Sequence, residues 1–108
     1  MTSKLIRDRI PEIAAARGQT LAIHTASGAE TAELLIEKLH EEADEVACAD
    51  EPGELLYELA DVLEVVHTLG DLCGWTPDDI EAARVRKRAE RGGFDWRLVL
   101  TTADDPAA

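Results

Sequence analysis

At 108 residues, 45% of them hydrophobic, the chain has the length of one domain and enough apolar side chains for a core, which excludes a disordered acidic tail. Aromatics make up only 4%, so the core must come from Leu, Val, Ile and Ala, a choice that favours helices. With 23 acidic against 11 basic residues and a formal net charge of -12, the general surface repels nucleic-acid backbone, while metal cations, or phosphates held through metal, remain suitable partners.

The first residues, 1–11, carry Lys4, Arg7, Asp8 and Arg9 and no apolar signal-like stretch. Pro11 suits a first helical turn, and residues 12–17 read as a short helix stopped by Gly18. No purely apolar run exceeds four residues, Ile13-Ala14-Ala15-Ala16 being one, which excludes a transmembrane span. A cytoplasmic protein without nucleic-acid or membrane partners is expected. Leu21-Ala22-Ile23-His24-Thr25 is too short to classify. Ser27-Gly28-Ala29-Glu30 then forms a capping-box pattern, and a helix should run from it to about residue 49, with Leu35, Leu39 and Val46 on its apolar stripe.

Asp50-Glu51-Pro52-Gly53 breaks that helix. The next should span about 54–72, and its apolar arc (Leu55, Leu59, Val62, Val66, Leu69 and neighbours) is wide enough to imply burial on more than one side, by a partner subunit. A short turn makes the two long helices antiparallel neighbours. Thr76-Pro77-Asp78-Asp79 opens a last helix with an N-cap, a proline and acids in the first turn, and Gly92-Gly93 closes it at about residue 91. Residues 94–100 are apolar and of undetermined form. The expected organisation is one domain over residues 1–100 with a frayed tail, 101–108. Cys48 and Cys73 form no CxxC pair, and a disulfide between them is not expected.

Four acids stand where apolar residues are expected. On a wheel of about 100° per residue, Glu42 falls between Leu35 and Ala49, and Glu45 lies one turn on, beside the same stripe. Glu58 falls between Val65 and Leu69, with Asp61 on that side too. A hairpin pivoting near residue 51 sets these two i,i+3 pairs opposite each other. Unpaired like charges in such a groove cost several kcal/mol on an order-of-magnitude view, and protonation, basic partners or a metal relieve them. An all-oxygen site suits Mg²⁺ or Mn²⁺ better than zinc. The bland alternative is a solvated face on a very acidic protein. Glu41 precedes the first pair and is placed to activate water or to bind a second metal.

The second cluster is basic. Arg84, Arg86, Lys87, Arg88 and Arg91 are five of the 11 basic residues. Arg84, Lys87, Arg88 and Arg91 share one helix face. A helix dipole accounts for some of them. A stripe of four on an acidic chain fits an anion, with phosphate the obvious candidate and Arg7 and Lys4 as possible additions.

Glu41-Glu42-Ala43-Asp44-Glu45, followed after twelve residues by Glu58-Leu59-Ala60-Asp61, resembles the EExxE…ExxD pattern of the MazG-like, all-α nucleoside triphosphate pyrophosphohydrolases. Lys38-Leu39 before it and Val62-Leu63-Glu64-Val65-Val66 after it are similar too. Lys4-Leu5-Ile6-Arg7-Asp8-Arg9-Ile10-Pro11 and the late Lys87…Arg91-Gly92-Gly93-Phe94 resemble a short, single-domain, phosphoribosyl-ATP pyrophosphohydrolase-like branch. The resemblance implies an all-α helical-hairpin bundle completed as a homodimer or homotetramer. It implies Mg²⁺-dependent cleavage between the α- and β-phosphates of a nucleoside triphosphate or phosphoribosyl-ATP, releasing a monophosphate and pyrophosphate. By motif position Glu42, Glu45, Glu58 and Asp61 become metal ligands. Glu41 or Glu45 becomes the proton acceptor, and Lys38, Arg84, Lys87 and Arg91 become substrate-binding residues.

Two rival classes are weaker. A helical phosphohydrolase of the His-Asp type needs adjacent His and Asp, and none of His24, His40 and His67 is followed by Asp. A non-enzymatic, acidic interaction module explains the apolar arc but gives no reason for Glu42 and Glu58 among apolar neighbours.

Overall fold

A computed structural model describes residues 3–101, and among them every regular element is helical. The helices are α1 (Ile10–Ala16), α2 (Gly28–Cys48), α3 (Pro52–Leu72) and α4 (Pro77–Arg91). The expected tail lies, except for Thr101, outside the described residues. None of these helices is long and apolar enough to cross a membrane.

Two boundaries differ from the sequence expectation for one reason. Pro11 and Pro52 sit inside the first turn of α1 and α3, so each helix starts about two residues early. A proline there gives up an N–H that no helix would use and sets φ for the turn. Pro52-Gly53 therefore opens α3, and the link from α2 shrinks to residues 49–51.

The caps also trade places. Ser27 Oγ accepts from the Glu30 N–H at 3.2 Å, but the Glu30 carboxylate turns to His24 Nε2 at 2.9 Å and leaves the box half made. The reciprocal box forms at α4, where Thr76 and Asp79 exchange both hydrogen bonds, at 2.8 and 3.1 Å. Gly70 brings α4 onto α3, because a Cβ there would stand 2.6 Å from Ile80 Cδ1.

α2 and α3 form the antiparallel hairpin, and α4 packs on α3. The buried apolar residues are Leu35 of α2, Val65 of α3 and Ala14 of α1. That is a thin core. The radius of gyration is 17.7 Å, against about 13 Å for a compact domain of about 100 residues. The accessible surface is 9459 Å², against roughly 5,900 Å² for a compact monomer of this size. Leu56, Leu59 and Leu63 on α3 are at least half exposed. Residues 94–100 take no regular form, and Phe94, Trp96, Leu98 and Val99 stand out in water.

Candidate functional site

Glu42 follows Leu35 by seven residues, two turns of α2, so the side chain is carried onto the buried stripe. It is only 9% exposed. On α3, Glu58 and Asp61 precede Val65 by seven and four residues and share its inward face. The tight link between the helices sets these positions opposite each other. One carboxylate oxygen from each of Glu42, Glu58 and Asp61 lies within 4.8 Å of the other two. Glu45 is exposed and falls outside that group of three. Glu45 therefore stays beside the stripe that holds Glu42, whereas the same three-residue step on α3 keeps Glu58 and Asp61 together.

The charges act on one another. Partial withdrawal from water raises the Glu58 pKa above the ordinary carboxylate value, and the charges of Asp61, Glu45, Glu42 and Glu54 raise it further. Two cations reach the other members. Arg7 Nη2 donates to Asp61 Oδ1 at 2.6 Å, across 54 positions of sequence. Lys38 Nζ lies 3.6 Å from both Glu41 and Glu42. Among the described residues no hydrogen bond or ion pair reaches Glu58. Three hard oxygen donors on rigid helices, one without a counter-charge, fit a hard divalent cation.

Beside the cluster lies a cavity of about 170 Å³, lined by Lys38 and Glu42 of α2, Asp61, Glu64 and Thr68 of α3, and Arg7 and Asp8 ahead of α1. Pockets that enclose a whole small ligand run to roughly 300–1,000 Å³. The cavity therefore has room for phosphate groups and an ion, and the rest of a nucleotide needs further walls.

The α4 cations stand elsewhere. Arg84, Lys87, Arg88 and Arg91 line a second, larger groove of about 720 Å³ with Gly92, Gly93 and Phe94, and none of them lines the acidic cavity. Arg84 donates twice to Glu81, at 2.9 and 2.6 Å, which lowers the Glu81 pKa and raises that of Arg84. Arg88 pairs with Asp95 at 2.7 Å. Lys87 has no ion pair among the described residues.

Sequence reasoning found the acids but not the cation that meets them first. In the sequence, Arg7 reads only as an accessory to the basic cluster. The available signal was Leu5-Ile6, an apolar doublet just before it, half-buried here and lining the same cavity. Glu64 and Thr68 line the cavity as well, and no sequence pattern distinguishes them on α3.

Residues 5–88 match the family described as phosphoribosyl-ATP pyrophosphohydrolase. The matched stretch contains Arg7, Lys38, the four acids, Arg84 and Lys87, and ends before Arg91. No curated protein and no solved structure gives a match. With well over half of its length in the match, and with the acidic hairpin at the centre of it, the chain belongs to the phosphoribosyl-ATP pyrophosphohydrolase family, hydrolases of phosphoric anhydride bonds.

Proposed function

We propose that the protein is a Mg²⁺-dependent pyrophosphohydrolase, with Mn²⁺ as a substitute, that cleaves nucleoside triphosphates or phosphoribosyl-ATP between the α- and β-phosphates. The observation that carries this is the approach of Glu42, Glu58 and Asp61 to within 4.8 Å across the hairpin. Those three, with Glu45 at the exposed edge, are the residues to hold the metal. When bound, such an ion supplies neutralisation of the polyphosphate and a more acidic water.

The chain's own groups do the rest. Glu41, 3.6 Å from Lys38 Nζ, and Glu45 are both exposed beside Glu42 on α2, and either is the group to take the proton of the attacking water. The water oxygen bonds to phosphorus, the bridging P–O bond breaks, and pyrophosphate leaves with that electron pair. Lys38, already at the cavity wall, holds substrate charge there. Arg84, Lys87 and Arg91 hold the polyphosphate from their own groove, which requires a second copy to carry them to this cavity. A homodimer or homotetramer is therefore part of the proposal, supported by the thin core, the extended shape and the small cavity. A cytoplasmic setting goes with it, since Cys48 and Cys73 are free and exposed and a reducing compartment keeps them so.

The test is product analysis. Incubated with Mg²⁺, a panel of nucleoside triphosphates and phosphoribosyl-ATP should yield monophosphate and pyrophosphate in equal amounts. Diphosphate with free phosphate as the main products would reject the α–β assignment. A melting temperature indifferent to Mg²⁺ and Mn²⁺, with no turnover, would favour the interaction-module alternative.

A further inference from the structure

The metal and α4 assignments leave Arg7 without a task. The residue belongs to a segment of no regular structure ahead of α1, yet its guanidinium crosses to α3 and holds Asp61 at 2.6 Å. Leu5 and Ile6, half-buried in the cavity wall, pin the segment there independently of that contact. The pair itself sits at the water-facing rim, with side chains 57% and 37% exposed. An exposed pair of this kind is weak and easily parted. Arg7 also lines the cavity that Lys38, Glu42 and Asp61 line, so any phosphate entering it comes within the reach of this side chain. A guanidinium binds phosphate oxygens through two N–H groups at once, as it binds a carboxylate.

We propose that Arg7 is an exchangeable counter-ion: it neutralises Asp61 while the acid cluster holds no metal, and exchanges Asp61 for a phosphate oxygen when a divalent cation and a polyphosphate occupy the cavity. This rests on the metal-binding reading of Glu42, Glu58 and Asp61. Its distinctive consequence is a pair of effects with opposite sign. Removing the guanidinium frees Asp61 and removes a positive charge beside the cluster, so metal alone binds better. The same change takes away a phosphate ligand, so a polyphosphate binds worse. A residue that merely braced the N-terminal segment would weaken both together.

The experiment compares wild type, Arg7→Gln and Arg7→Lys by calorimetric titration, first with Mn²⁺ alone and then with inorganic pyrophosphate at saturating Mg²⁺. Arg7→Gln is expected to bind Mn²⁺ roughly three- to tenfold more tightly than wild type, the scale of one partly exposed charge contact. It should bind magnesium pyrophosphate about tenfold more weakly, as loss of one charge-assisted contact brings. Arg7→Lys, which keeps the charge but not the planar fork, should bind Mn²⁺ like wild type and pyrophosphate with intermediate affinity. If wild type binds Mn²⁺ and Arg7→Gln binds it no better, the counter-ion role is overturned while the metal cluster stands. If wild type takes up no Mn²⁺, the cluster reading fails and this proposal fails with it. Pyrophosphate binding that is equal in wild type and Arg7→Gln, or absent from both, overturns the exchange.

Discussion

Glu58→Gln lowers turnover by at least about 100-fold, the upper end of what even outer-shell changes cost at metal sites, and leaves the metal-free protein as stable as wild type or more so. The two effects come from one fact. Glu58 is the member of the carboxylate group that no cation touches, while Arg7 and Lys38 serve Asp61 and Glu42. As the metal ligand proposed above, it should not be replaceable by an amide of the same shape. As a bare charge beside Asp61, Glu45 and Glu42 it is a burden on the folded state. The direction with pH follows. A folded-state pKa raised above the ordinary 4.5 means that the native protein holds more protons than the unfolded chain above that pH. This contribution to stability is fully present below the ordinary value and is lost as pH rises through the raised one. Wild type in chelator should therefore lose stability across that window, and Glu58→Gln should lose less. On the proposed reading, Mg²⁺ should stabilise wild type by binding the folded state and should do far less for the variant. Thermal melts of both proteins from pH 4 to pH 8, with chelator and with Mg²⁺, read all of this. A variant that melts lower in chelator yet keeps its full Mg²⁺ response would make Glu58 an ordinary structural acid.

Leu59→Glu combined with Leu63→Glu should convert the assembly into folded monomers. Both leucines are about half exposed on α3, one turn apart, beside the similarly exposed Leu56. Placing carboxylates in an apolar contact costs roughly 3 kcal/mol or more per dimer, about a hundredfold in Kd. The fold itself should survive, because the hairpin packs through Leu35 and Val65 on the inward side. Wild type is expected to sediment as a dimer or larger at micromolar concentration, and the variant as a monomer with unchanged helical circular dichroism. Activity should fall with assembly if the α4 cations act in a second copy's cavity. A wild-type monomer in sedimentation would end the argument from exposed apolar surface, and a fully active monomeric variant would end the argument for shared sites.

The sequence shows the helices chiefly through their ends. Ser27, Thr76-Pro77 and the glycines after α1, α3 and α4 mark limits that depend on a few adjacent residues, and such limits are readable without tertiary knowledge. The carboxylates were equally legible, because a charge at an apolar register of a helix is a local contradiction that asks for a remote cause. The cations were not. Placing Arg7 on Asp61 depends on how a segment without regular structure crosses two helices, and no periodicity encodes that path. The α4 arginines are conspicuous because they are dense in sequence, yet two of them pair with Glu81 and Asp95. Glu45, placed by the wheel beside the stripe, is exposed and outside the group of three, while Glu58 and Asp61 at the same spacing stay together.

The three-residue link between α2 and α3 has a kinetic consequence. Glu42 and Glu58 are only 16 positions apart, so the acidic group is assembled by a local closure, of the kind that comes early in folding and involves little loop entropy. Its repulsion should then already be felt in the transition state. Relief of that repulsion should accelerate folding and leave the unfolding rate nearly unchanged, the signature of an interaction formed in the nucleus. In chelator, the refolding arm of the Glu58→Gln chevron should lie above that of wild type while the unfolding arms coincide. If the proposed site is right, the residues that would hold its metal should also set how fast the hairpin closes, and a divalent ion present during synthesis should act on that closure before any substrate is met.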